Sequence, residues 1–125
     1  MEVVNETAGK TIVSGAKKAD TLFSRAKGLL FTKTPSDLVL VSPREGVKES
    51  SIHMVGMNYP IDVIWADKDG VVVDVQKGVA PSPILKPWKW RVFRPAKPAA
   101  YVVECGSARV DGVSVGDKLR FNSSV

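Results

Sequence analysis

Residues 61–76 read "IDVIWADKDGVVVDVQ", two apolar runs rich in valine and isoleucine around a turn signal. Side chains branched at Cβ pack well on a pleated surface and lose rotamer freedom in a helix, so "IDVIWA" and "VVVDVQ" read as strands. "DKDG" between them places Gly70 where a tight hairpin demands a backbone conformation that glycine adopts cheaply. Other segments extend the pattern. "DLVLV" is a continuous apolar run suited to a buried strand, and "SSIHMVGM" alternates weakly. "PAAYVVECG" and "DKLRF" supply the last strands, and the first 17 residues predict one strand around Thr11–Val13.

One segment departs from this pattern. In "KKADTLFSRAKGLLF", Leu22, Phe23 and Ala26 have helical spacing, Asp20 suits an N-cap, and Gly28 suits the position just past a helix end. The expected helix is short, about two turns. The expected architecture is mainly β, a sandwich or barrel-like arrangement of mostly antiparallel strands, with one short α-helix packed on the sheet. A chain of 125 residues predicts a single β-rich domain, 1–125, large enough to bury a core without disulfides. No apolar run approaches the ~20 residues of a membrane span. "MEVVNETAGKT" lacks the basic and apolar regions of a signal peptide, and Cys105 has no second cysteine to pair with. The expected location is therefore the reducing cytoplasm.

Charge is distributed unevenly. Between Lys77 and Pro98 lie six basic residues, Lys77, Lys86, Lys89, Arg91, Arg94 and Lys97, and no acid. The rest of the chain carries 12 basic and 13 acidic residues, so the whole net charge of +5 resides in this segment. Prolines at 81, 83, 87, 95 and 98 make it a long irregular excursion, a class of loop that is often functional. Within it, "LKPWKWRVFRPAKP" interleaves Trp88, Trp90 and Phe93 with the cations. In an extended stretch 88–92, Trp88, Trp90 and Val92 share one face and Lys89 and Arg91 the other. Cations attract phosphates or carboxylates, and exposed aromatic rings stack on bases or sugars. The competing structural interpretation is an aromatic face covering one end of the barrel, with the charged face merely solvated.

The remaining candidate sites are weaker. His53 is the single histidine and stands nine positions before Asp62. A catalytic histidine needs an orienting acceptor and a nucleophile or substrate proton within reach. Asp62 serves as that acceptor if the two strands pair. Ser50, Ser51 and Cys105 are available nucleophiles, but no nucleophile elbow marks them. A hydrogen-bonded structural histidine is favoured. Asp62 shares a face with Ile64, so its carboxylate needs a partner, and Arg25 on the expected helix is the candidate. No C-x-x-C or H-x-x-x-H spacing exists, so neither metal nor other cofactor is expected. "DKDG" lacks the glycine and glutamate spacing of a calcium loop and is better read as a turn. Cys105 reads as a small buried apolar side chain.

The order of these segments resembles the domain of unknown function 192 family, small proteins of archaea and bacteria. The resemblance runs from about Ala19 to Phe121. Arg25, Gly28 and Leu29 match its "R-x-x-G-L" helix end. His53, Met54, Met57, Pro60, Ile61 and Asp62 match a central strand pair. Ala100, Tyr101, Val102, Glu104 and Gly106 match the penultimate strand, and Gly116 with Asp117 a closing "G-D". Where many relatives have "F-W-M-K-N-T" this chain has "I-H-M-V-G-M", which with "L-K-P-W" at 85–88 is more similar to the archaeal branch. The resemblance implies a compact β-rich fold with one helix packed on it, and implies no activity. Arg25, Gly28, Asp62, Gly70 and Asp117 are the expected structural positions.

Three functions compete. The favoured one is a non-catalytic binding domain that holds an anionic small molecule, nucleic acid or protein near residues 77–98, through Lys86, Trp88, Lys89, Trp90, Arg91 and Arg94. No helix-turn-helix or other specific nucleic-acid reader accompanies it. The alternatives are a small hydrolase or transferase using His53 and Asp62, with Asp67 or Asp117 as a second carboxylate, and a structural or protein-interaction domain.

Overall fold

The computed structural model describes residues 1–19, 37–53, 59–80, 85–86, 88, 92–105 and 110–122. The helix expected around 20–28, with Arg25 and Gly28, lies outside the described residues. These residues form β1 (Glu2–Asn5), β2 (Lys10–Val13), β3 (Lys17–Ala19), β4 (Leu38–Gly46) and β5 (Ile52–His53). They continue as β6 (Ile61–Ala66), β7 (Val72–Val79), β8 (Val92–Phe93), β9 (Ala99–Cys105) and β10 (Leu119–Asn122).

A five-stranded sheet runs in the order β3-β4-β9-β6-β7, a three-stranded sheet in the order β10-β1-β2, and β5 pairs with β8. The fold is mainly antiparallel. Among the described pairings, only β3 with β4 is parallel. The expected hairpin is β6–β7, with Ile64 opposite Val75 and Trp65 opposite Asp74. Its turn is closed by Asp67, whose Oδ1 accepts the N–H groups of Asp69 at 2.9 Å and Val71 at 3.0 Å. This is an Asx-type turn, in which the side chain stands in for a backbone acceptor.

The two larger sheets are stitched at both margins. At one, Val71 bridges Lys118, and Leu119 N donates to Gly70 O at 2.8 Å. At the other, β2 runs through residues 14–16 into β3. There Met1 donates to Ala16 O at 2.7 Å, and Ala16 N returns a bond to Met1 O at 2.9 Å. Val3, Ile12, Val13, Val39, Ile64, Val103 and Leu119 fill the space between the sheets. On the opposite face of the five-stranded sheet, Leu38, Leu40, Ile52, Ile61, Val63, Trp65 and Val102 form a second cluster. Trp65 Nε1 donates to Ser50 O at 2.8 Å, so the indole is buried without an unpaired donor.

With both faces covered, every residue of β6 is buried, which explains why "IDVIWA" is apolar apart from Asp62 rather than alternating. The structure adds β1 to the single strand expected in the first 17 residues. "EVVN" offers only two apolar residues, too few to announce a strand. Its partner is β10, with Val3 opposite Phe121, at the far end of the chain. Pairing that distant leaves no local periodicity to read.

Candidate functional site

The excursion after β7 returns to the fold through β8. Ile52 faces Phe93 across the β5–β8 pair, and His53 faces Val92. Ile52 is fully buried and Phe93 packs on the same cluster, whereas Val92 and Arg94 on either side of Phe93 are exposed. One aromatic ring therefore anchors the segment while its neighbours face outward. A second anchor is Asp74 of β7. Its Oδ1 accepts Val75 N at 2.8 Å and its Oδ2 accepts Ala96 N at 3.0 Å, which pins the stretch between Arg94 and Lys97 to the sheet.

Unusual side chains face solvent within this stretch and before it in the chain. Leu85 is 89% exposed, Trp88 76% and Val92 58%; Val115 is the fourth large apolar side chain exposed among the described residues. Trp88 lies in a 3₁₀ turn, so the extended stretch expected over 88–92 begins, among the described residues, only at Val92. Trp88 does not cover the end of the sheet. Isolated exposed apolar residues need no explanation, but three within eight positions of one another form a local concentration.

Lys86, Arg94 and Lys97 are exposed as well, and none of them has an ion-pair partner among the described residues. Lys77 differs. Its Nζ sits 2.8 Å from Asp111 Oδ1. The hydrogen bond from Lys77 to Asp111 and then their mutual attraction raise the ammonium pKa and lower that of the carboxyl. The positive surface thus begins beyond Lys77. Lys89, Trp90 and Arg91 lie outside the described residues.

His53 and Asp62 sit on strands that do not pair with each other: β5 pairs with β8, and β6 with β7 and β9. Asp62 is 8% exposed and its Oδ1 accepts Gly78 N at 2.9 Å. Lys77 feels its charge, a further and smaller contribution to the raised pKa of that lysine. The expected partner Arg25 lies outside the described residues. Ser50 is completely buried, and its hydroxyl donates to Gly46 O at 2.5 Å. Ser51 donates to Val47 O at 2.7 Å. Both hydroxyls fasten the turn after β4. Cys105 is fully buried opposite Asp62 in the β6–β9 ladder.

Two polar positions escaped the sequence reading as sites. Glu104, 2% exposed, stands in the middle of the sheet between Leu38 and Val63. Its signal was present, an acid inside the apolar run "AAYVVECG", where a carboxylate must be compensated. Asn5, 1% exposed, donates to Asp117 Oδ2 at 2.8 Å, and the same oxygen accepts Ser114 N at 2.9 Å. These bonds, that from Asn5 first, hold the Asp117 carboxyl below its ordinary value. Among the described residues no cluster of histidine, cysteine or carboxylates could hold a metal ion, and no helix is long and apolar enough to cross a membrane.

A family model, DUF192, described as "Uncharacterized ACR", matches residues 3–121. The chain belongs to the DUF192 family. Among its relatives, a UPF0127 protein of Thermococcus kodakarensis is 38% identical over 120 residues, which is 94% of this chain and 71% of that one. A UPF0127 protein of Pyrococcus furiosus is 34% identical over 125 residues, covering 98% of this chain and all of the relative. These archaeal DUF192 proteins agree with the archaeal character read from "I-H-M-V-G-M" and "L-K-P-W". The crystal structure of a protein of unknown function from Novosphingobium aromaticivorans superposes with a TM-score of 0.76 at 19% identity, over 96% of this chain and 82% of that one. At that identity the likeness is one of fold.

Proposed function

We propose that this DUF192 protein is a non-catalytic binding domain that engages an anionic partner through residues 85–97. The observation that carries the proposal is the exposure of Trp88, 76%, in the same segment as Lys86, Arg94 and Lys97, which have no acidic partner among the described residues. A tryptophan left in water forgoes a large part of its burial energy, roughly 25 cal/mol per Å² of apolar surface. Where such a ring is flanked by Lys86, Arg94 and Lys97, it supplies apolar contact area while the cations supply attraction and orientation. The anchors at Phe93 and Asp74 hold residues 92–97 of this surface on the scaffold, which lowers the ordering cost of binding there. Ser50 and Cys105 are fully buried and the half-buried Ser51 hydroxyl is engaged with Val47 O, which weighs on the same side.

The test is retention on immobilised heparin, used as a generic polyanion, with elution by salt. Wild type is retained, and Lys86→Glu combined with Arg94→Glu elutes markedly earlier. Lys10→Glu with Lys118→Glu, which change the same net charge elsewhere, serve as the control. Equal elution of both double variants would mean that retention reflects overall charge and not this segment.

A further inference from the structure

We infer that the anionic partner is a lipid surface, bound peripherally by Leu85, Trp88 and Val92 together with Lys86, Arg94 and Lys97; this rests on the reading of these residues as the binding surface. The argument turns on which side chains are exposed. Trp88 presents its ring to solvent, and such a ring serves a base, a sugar or a lipid interface alike. Leu85 and Val92, 89% and 58% exposed, are aliphatic. They cannot stack on a base in the way an aromatic ring does, and water solvates them poorly. The boundary between headgroups and acyl chains suits them, because apolar side chains entering it are removed from water. Tryptophan prefers the same depth, with its ring in the apolar layer and its N–H among polar groups.

The cations complete the match. Lys86 adjoins Leu85, Arg94 lies two residues beyond Val92, and Lys97 follows on the stretch that Asp74 pins to the sheet. Leu85 and Trp88 are three residues apart, so their Cα atoms are separated by no more than about 11 Å, well inside the footprint of a few headgroups. Anionic headgroups neutralise lysine and arginine at this level, and the segment from Lys77 to Pro98 contains no acid to repel them.

The experiment is co-sedimentation of the full chain with vesicles of neutral phosphatidylcholine, and of phosphatidylcholine containing 30% phosphatidylglycerol, alongside a fluorescent poly(dT) oligonucleotide. Binding to the anionic vesicles is expected at low salt, with little to the neutral ones. Neutralising Lys86, Arg94 and Lys97 to glutamine should weaken it by about fivefold per cation. Leu85→Ser with Trp88→Ser should weaken it at least tenfold while the melting temperature stays at the wild-type value, since both side chains are exposed. Vesicle binding that is insensitive to the apolar pair would overturn the inference, because adsorption would then be charge alone. Oligonucleotide binding lost in the cation variant, without vesicle binding, would overturn the lipid assignment and leave the anionic-surface reading standing. Absence of binding to either probe would remove both.

Discussion

Gly70 sits at φ +83° in the β6–β7 turn, and a Cβ placed there would stand 2.6 Å from the carbonyl oxygen of Leu119, where ordinary contact begins near 3.4 Å. Alanine at this position meets two separate costs. The left-handed backbone conformation costs an L-residue about 1–2 kcal/mol. The close approach must then be relieved by moving backbone, because the obstructing atom belongs to β10 and not to a flexible side chain. That movement pulls against the Leu119 N to Gly70 O bond of 2.8 Å. It loosens the margin where the two larger sheets are joined, adding about 1–3 kcal/mol as overpacking usually does. Gly78 provides the internal control. It has φ +62°, but nothing lies within 4 Å of a Cβ there. Gly78→Ala therefore meets the conformational cost without the collision.

For a chain of this length, 1 kcal/mol corresponds to roughly 3–5 °C in melting temperature. Gly70→Ala should lower the midpoint by about 10 °C or more, and Gly78→Ala by about 5 °C, by differential scanning calorimetry. Urea titration should show the same order in midpoint, with an unchanged slope. If the two variants lose the same stability within about 2 °C, the collision with Leu119 does not exist in solution and the junction between the sheets is looser than described.

Asp62→Ala removes the acceptor of Gly78 N–H in a partly buried bond and should cost about 0.5–1.5 kcal/mol by urea denaturation; Asp62→Asn keeps an acceptor and should cost less, and the reverse order would refute the role given to that bond. Asp117 has a lowered folded-state pKa, so its stabilisation is complete above the ordinary value of 3.8 and is lost as pH falls through the folded-state value. The fall in melting temperature between pH 5 and pH 2 should accordingly be smaller in Asn5→Ala, and an unchanged pH profile would show that Asn5 does not hold the carboxylate. Lys77→Met removes the pair with Asp111 but should alter polyanion retention less than Arg94→Met does, because Lys77 is already neutralised; equal losses would return Lys77 to the binding surface.

The parts of this fold that were legible in the sequence are those decided locally. The β6–β7 hairpin follows from two apolar runs and a turn, and β9 from its own composition. The parts that were not legible depend on distant partners. β1 exists because β10 comes back to it, and β8 is two residues long, held by the meeting of Ile52 with Phe93. The candidate site divides in the same way. The clustering of positive charge is a property of the linear chain and could be counted. Whether Trp88 faced the core or the solvent depends on what occupies the end of the sheet, and the alternation of side chains is equally compatible with either. Lys77 shows the converse: it counts as one of the cluster in the sequence, yet a loop more than thirty positions away supplies Asp111 to cancel it.

A competing way for such a protein to bind a partner is to add a strand to an open sheet edge, and the β7 edge bears on that. Val75 N–H is taken by the carboxylate of Asp74, Gly78 N–H is taken by Asp62, and the other Asp74 oxygen draws Ala96 alongside. The Val75 donor is thus occupied by the chain's own side chain, Gly78 N–H is turned back to β6, and Gly78 interrupts regular strand geometry at φ +62°. Edges guarded by charge and irregularity are how sheet proteins avoid unwanted pairing. The engagement proposed for Leu85, Trp88 and Val92 therefore rests on contacts of side chains and not on backbone pairing at this edge.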